Sequence, residues 1–256
     1  MARNDQRLLE KVAVVTGAGD GLGRALALGL CAKGLHVVGL SRSVKGLAKT
    51  AELAGETFTP MQVDVSDFAA VKTAFARMTL EHGGPGLLIN NAAVYPRRDL
   101  LEETPGSFMQ TVNVNLGGVM ACSHAALQTM LRDGFGRIVN VATFADLHPL
   151  PASAAYSVSK GAARIYTRAL VADIGDRFPD IVVNDWMPGM LATRMGIPDG
   201  LTPEESARWG VEMALWHDPA LTGSTFEMGA EVLPPRGLKG KVKDLMLLRR
   251  QKPRLL

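Results

Sequence analysis

The chain has 256 residues, 47% hydrophobic and 21% charged, which fits one large domain or two small ones with a core that needs neither metal nor disulfides. Its two cysteines, Cys31 and Cys122, suit a reducing compartment, the cytoplasm by default, and the formal net charge of +3 sits on a mildly acidic body with a basic end, a poor candidate for nucleic-acid binding. Arg3, Asp5, Arg7, Glu10 and Lys11 interrupt the start of the chain before an apolar secretory core, and no apolar run of about 18 residues occurs, so no transmembrane segment is expected.

Short β-branched runs alternate with Ala- and Leu-rich stretches. Val12-Ala13-Val14-Val15, residues 36–40, 61–63 and 87–89, Arg137-Ile138-Val139-Asn140-Val141 and Ile181-Val182-Val183 read as strands; residues 23–33, 68–82, 108–132, 152–177 and 203–216 read as helices. The strands lack polar/apolar alternation, as strands covered on both faces do. The order predicts a doubly wound α/β domain with a parallel, Rossmann-type sheet and helices on both faces, spanning residues 1–235, followed by a basic extension at 236–256. In such sheets the ligand crevice lies at the carboxyl ends of the strands.

The first strand ends in Thr16-Gly17-Ala18-Gly19-Asp20-Gly21-Leu22-Gly23 and runs into a helical stretch. Glycines there permit a tight turn and close approach of backbone to a pyrophosphate, and the helix N-terminus offers free N–H groups, so Gly17, Gly19, Asp20, Gly21, Leu22 and Gly23 are expected to bind a dinucleotide. The second strand ends in Leu40-Ser41-Arg42-Ser43 with no acid. Ser41 and Arg42 therefore point to NADP(H) rather than NAD(H), the Arg pairing with a 2′-phosphate, against the opposing sign of Asp20 and the alternative that Arg42 is an ordinary solvated arginine.

Tyr156 and Lys160 stand at i and i+4 in Tyr-Ser-Val-Ser-Lys, on one helix face. An ammonium beside a phenol favours the phenolate, so Lys160 is expected to lower the Tyr156 pKa and fit it for proton transfer. Thr143, just past the strand that ends at Val141, places a hydroxyl on the same sheet edge to donate to a substrate oxygen.

Six features in order now resemble the short-chain dehydrogenase/reductase family in its compact form: the glycine turn at 16–23; Asp64-Val65; Asn90-Asn91-Ala92-Ala93; Asn115; Tyr156-x-x-x-Lys160; and Pro188-Gly189-x-x-x-Thr193. The resemblance implies that Asp64 and Val65 hold the adenine and that Asn91 and Ala92 run beside the adenosine and ribose. It implies further that Asn115 supports a water chain to Lys160, that Lys160 binds the nicotinamide ribose, and that Pro188, Gly189 and Thr193 hold the carboxamide. Tyr156 is then the general acid in ketone reduction and the general base in alcohol oxidation, and homodimers or homotetramers are expected. Thr143 stands where the family usually has Ser, which restricts χ1 and crowds the substrate oxygen; Ala93 replaces the usual Gly.

Met190, Leu191, Met195 and Ile197 lie on the family's variable flap, with Met190, Met195 and Ile197 the better candidates for an apolar lid, whereas Trp209, Met213 and Trp216 read as core packing. Tyr95, Phe144 and His148 follow the active strands and are candidate substrate contacts. Arg97 and Arg98 either attract an anionic substrate or are simply solvated. From Arg236 onward lie eight Lys or Arg and one acid, with a short helix expected at 242–248; the extension packs on a neighbouring subunit, is disordered, or binds an acidic partner. No metal is expected. The leading function is an NADP(H)-dependent reductase or alcohol dehydrogenase acting on a small-molecule carbonyl or alcohol; the alternative is a non-catalytic NADP(H)-binding regulator or scaffold with the same fold.

Overall fold

A computed structural model describes residues 6–233 and 252–256. After a one-turn helix α1 (Gln6–Leu9), strands β1 (Val12–Thr16), β2 (Val37–Ser41), β3 (Phe58–Gln62), β4 (Pro85–Asn90), β5 (Gly136–Val141), β6 (Ile181–Met187), β7 (Thr225–Glu227) and β8 (Ala230–Val232) form one sheet in the order β3-β2-β1-β4-β5-β6-β7-β8. All neighbours pair in parallel except β7 with β8. The order reverses between β1 and β4, so the crevice of an open α/β sheet falls beside the end of β1. The connecting helices are α2 (Gly21–Ala32), α3 (Val44–Ala54), α4 (Phe68–His82), α5 (Pro105–Val112), α6 (Gly118–Asp133), α7 (Ala154–Ile174) and α8 (Pro203–Leu215).

The missing alternation in the strands is explained by two cores, one on each face. Along β1, Ala13 and Val15 enter one core with Leu26, Leu30, Val211 and Trp186, while Val12 and Val14 enter the other with Phe75, Met78, Cys122 and Ile174. Helix starts follow their caps: Asp20 accepts from Gly21 N, Ser43 from Gly46 N and Asp67 from Ala70 N, and Thr202 with Glu205 forms a reciprocal capping box.

The expected elements are present with four differences. Helix α3 is an addition. The strand expected at 61–63 lies at Phe58–Gln62, where Pro60 is tolerated because β3 is the sheet edge. The helix expected at 108–132 is α5 and α6 separated by a π turn at Asn113–Gly117. The sheet is also not wholly parallel, because β8 folds back antiparallel on β7, and the chain end returns to it: Glu231 N donates to Arg254 O at 2.9 Å, Leu256 N to Gly229 O at 2.9 Å, and Leu256 packs against the core. The helix expected at 242–248 lies outside the described residues. No described helix is long and apolar enough to cross a membrane.

Candidate active site

The glycine turn links β1 to α2 as a cradle that a side chain would fill. Gly17 has φ +71°, and a Cβ on it would stand 2.9 Å from Asn91 Nδ2; one on Gly23 would collide with the Gly17 carbonyl oxygen. The turn is therefore packed backbone-to-backbone against Asn91, Ala92 and itself with no room for side chains, a tight bend that delivers the anion-favouring N-terminus of α2 at the sheet edge and so fits a dinucleotide pyrophosphate. Asp20, expected in the cofactor turn but with a charge opposed to a phosphate, caps the helix end, with Gly21 N donating to Oδ1 at 2.8 Å. Arg24 supports the turn from behind through hydrogen bonds to Gly19 O and to Thr50 Oγ1.

Ser41 and Arg42 close one end of this crevice. Arg42 is 63% exposed and its Nη1 lies 3.7 Å from Asp64 Oδ2. The Asp64 carboxyl is held below the usual carboxylate range: burial pushes it up, but the hydrogen bonds from Ser66 and the Arg42 guanidinium outweigh that. Arg42 is thus a solvent-facing cation beside an acid. After β4, Asn91 Nδ2 donates to Thr16 O, and the N–H groups of Asn91 and Ala92 donate to Thr16 Oγ1, all at 2.9 Å. The side chain of Asn91 ties two strand ends together, and the backbone of Ala92 borders the turn. Ala93 does not adopt a positive φ, so its Cβ is accommodated without strain.

The π turn delivers Asn115. Its Oδ1 accepts from Val94 N at 2.8 Å, and its Nδ2 donates to Val94 O at 2.9 Å and to Ser159 Oγ at 3.0 Å. An extra residue in a helix redirects one side chain without ending the helix, and here that side chain joins the loop after β4 to α7. Its contact with Ser159 brings it next to Lys160 along α7.

Thr143, Tyr156 and Lys160 meet at the carboxyl end of β5. Ala145 N donates to Thr143 Oγ1 at 3.2 Å, and Thr143 stands near enough to the Tyr156 phenol to favour its ionised form. Lys160, 3% exposed, donates from Nζ to Val141 O at 2.6 Å. The expectation that Lys160 lowers the Tyr156 pKa is corrected: burial raises it, Tyr95 and Asp146 add to the rise, and the Thr143 bond opposes it only in part. Lys160 is itself pushed down to about 8 by burial, against the pull of Asp185, and its ammonium is committed to a backbone carbonyl.

The flap, starting at Pro188 and Gly189, crosses above. Ser206 Oγ donates to Pro188 O at 2.8 Å, and Ala192 N to Leu201 O at 2.8 Å. Thr193 Cγ2 stands 3.4 Å from where a Cβ on Gly21 would be, so the flap reaches the glycine turn. Met190 and Met195 are 57% and 40% exposed. Among the substrate candidates only Tyr95 touches the centre, stacking on Tyr156. Phe144 is half-buried, and His148 sits in an exposed turn with its N–H on Phe144 O at 3.1 Å. Val65 is buried, its side chain against Gly118. Sequence reasoning missed Asp146, Arg164 and Asp185; the spacing of Arg164, one helical turn beyond Lys160, was the available signal. Among the described residues no cluster of three or more His, Cys, Asp or Glu has the arrangement of a metal site.

Residues 11–202 match the family model described as short chain dehydrogenase. The chain is 35% identical over 189 residues to the short-chain reductase protein NovJ of Streptomyces niveus, covering 73% of this chain and 71% of that protein. It is 35% identical over 205 residues to L-xylulose reductase of Mesocricetus auratus, covering 79% and 80%. It is 29% identical over 197 residues to the 3-oxoacyl-[acyl-carrier-protein] reductase FabG of Haemophilus influenzae, covering 77% and 80%.

Proposed function

Because the chain belongs to the short chain dehydrogenase family, whose members here are carbonyl/alcohol oxidoreductases using nicotinamide cofactors, we propose the following finer assignment. The protein is an NADP(H)-dependent oxidoreductase that interconverts a ketone or aldehyde and an alcohol on a mainly apolar substrate. The observation that carries this reading is the gathering of Thr143, Tyr156 and Lys160 on the sheet edge that also bears the glycine turn.

The turn at 17–23 and the α2 N-terminus would hold the pyrophosphate, Asp64 and the Ala92 backbone would border the adenosine, and Thr193 would hold the carboxamide. Arg42 supplies the partner for a 2′-phosphate, since its guanidinium faces solvent with only one acid 3.7 Å away. The bound nicotinamide supplies or accepts the hydride. Thr143 donates a hydrogen bond from its hydroxyl to the carbonyl oxygen, which polarises the bond and stabilises developing negative charge. Tyr156 delivers a proton to the same oxygen, and in the reverse direction removes it. The Tyr156 phenol, like any phenol, holds its proton at neutral pH and so starts the reduction direction in the protonated form, though burial makes it a weaker acid. Lys160, pushed down to about 8 by burial, keeps its Nζ on the Val141 carbonyl and would bind the nicotinamide ribose.

The chain then works as a homodimer or homotetramer, in keeping with the exposed apolar Met109, Met120, Val158 and Ile165 on α5, α6 and α7, and in the cytoplasm. The test is consumption of NADPH and NADH across cyclic, aromatic and acyl ketones. Turnover with at least one apolar ketone, faster with NADPH, is expected; tight NADPH binding with no turnover of any carbonyl contradicts the assignment and favours a nucleotide-binding regulator.

A further inference from the structure

Behind the hydroxyls of Thr143 and Tyr156 lies an ion pair that the proton transfer does not itself use. Asp146 follows Thr143 by three residues on the same loop, and Arg164 follows Lys160 by four and Tyr156 by eight on one face of α7. Arg164 Nη1 donates to both Asp146 carboxylate oxygens, at 3.0 and 2.9 Å, with the side chains only 14% and 11% exposed. An exposed pair of this kind contributes little. This one is largely withdrawn from water, where each charge is costly and removing one partner leaves the other uncompensated.

Loop and helix also touch at Gly161, where a Cβ would stand 3.2 Å from Asp146 Cβ, and at Lys160, whose Nζ holds the Val141 carbonyl at the end of β5. Lys160, Gly161 and Arg164 therefore seat the Thr143 loop along the same turns of α7 that present Tyr156. We propose that Asp146 and Arg164 are positioning residues: the pair clamps the Thr143 loop to α7 and balances the charge that faces the Tyr156 phenol. This rests on the assignment of Tyr156 as the proton-transferring group.

The groups acting on the phenol come from two loops: Tyr95 stacks on it from the loop after β4, and Thr143 and Asp146 approach from the loop after β5. Lys160 and Arg164 share its helix but engage Val141 O and Asp146, so Arg164 acts on the phenol through Asp146. Asp185 on β6, with Arg168, acts one layer further down through Lys160 and Arg164. A carboxylate at Asp146 opposes ionisation of the phenol and the Arg164 cation offsets it, so deleting either charge alone acts in opposite directions.

The experiment is an alkaline tyrosinate absorbance titration of the full chain, of Asp146→Asn, of Arg164→Met and of the double variant, each subtracted by its own Tyr156→Phe partner so that the difference reports Tyr156. Asp146→Asn is expected to move the midpoint to lower pH and Arg164→Met to higher pH, each by about one unit, with the double variant near the parent. The pH profile of kcat/KM should move in the same sense. The titration needs no turnover: opposite midpoint shifts in a protein that reduces no carbonyl support the positioning pair while refuting the catalytic assignment. Midpoints that stay fixed, or move together while Tm falls, overturn the proposal and leave a merely structural ion pair. If Arg164→Met does not fold, Asp146→Asn decides alone, because the amide keeps the carboxylate's shape: an acid shift supports the proposal and an unmoved midpoint overturns it.

Discussion

The ring of Tyr95 lies on the ring of Tyr156, with centroids 4.4 Å apart and planes 21° from parallel. Asn115 sets this contact by gripping both backbone groups of Val94, the residue before Tyr95. Arg97 then lies over Tyr95, its Cζ 5.5 Å from the ring centroid, and donates from Nη2 to Gly196 O on the flap at 2.9 Å. The Tyr156 ring is thus fixed from the side by a residue that is tied in turn to the flap.

Replacing Tyr95 by Ala removes this aromatic contact, worth about 0.5–1.5 kcal/mol beyond its area, and opens the phenol to water. KM for an apolar ketone should rise about 3- to 10-fold, and the kcat/KM profile should shift to lower pH as the burial that raises the Tyr156 pKa is relieved. Tyr95→Phe should behave like the parent. Steady-state kinetics across pH checks both; an unchanged KM in Tyr95→Ala removes Tyr95 from the substrate wall.

Arg42 faces solvent beside Asp64, and a charge-assisted bond to a phosphate is worth about 1.5–3 kcal/mol. Arg42→Ala should therefore lower the ratio of kcat/KM for NADPH over NADH by about 10- to 100-fold, mainly through the NADPH term. The same ratio in variant and parent contradicts the cofactor assignment.

Asp185 is 5% exposed, and burial pushes its carboxyl up to about 6 despite the hydrogen bond from Thr167 and the cations of Arg164, Lys160 and Arg168. Its unfolded value is about 3.9, so the folded state holds the proton more tightly. The stabilisation this gives is complete below about pH 4 and is lost as pH rises through about 6. Asparagine at this position still accepts from Thr167 and carries no charge to bury. Asp185→Asn should therefore match the parent near pH 4 and exceed it at pH 7 by roughly 2–3 kcal/mol, read from urea unfolding at the two pH values. A variant less stable than the parent at pH 7 shows that the surrounding cations outweigh burial.

Much of this was legible from the chain itself. The helix at 68–82 has its expected bounds because Asp67 caps one end and Gly83, at φ +83°, closes the other. Tyr156 and Lys160 share a face because their spacing is local. What escaped is what depends on distant partners. Asn184 and Asp185 extend β6 although they look like a strand end, since Asn184 donates to Leu221 O and Ser224 O and Asp185 accepts from Thr167. The π turn adds a residue without breaking the apolar stripe, so α5 and α6 read as one helix. The lysine's commitment to Val141 O, which removes it from the phenol, is a contact no spacing encodes.

The returning chain end gives a further prediction. Arg254 grips Glu231 through Nη2 at 2.6 Å and Nε at 2.8 Å and reaches Ala220 O at 2.8 Å, holding the Glu231 carboxyl below its ordinary range. Truncation before Lys252 removes these bonds, the strand-like pairing to β8 and the packing of Leu256. Tm should fall by several degrees, as for a loss of about 1–2 kcal/mol, while the relative rates with different ketones stay the same. An unchanged Tm means the end segment does not contribute to the folded sheet.

The central claim is that Tyr156 moves the proton, and Tyr156→Phe tests it most directly because the ring, its stack on Tyr95 and the cofactor cradle all remain. Carbonyl-dependent oxidation of NADPH should drop by about 10²- to 10⁴-fold, with NADPH binding, followed by nucleotide fluorescence, close to that of the parent. Reduction at the parental rate in Tyr156→Phe contradicts the account.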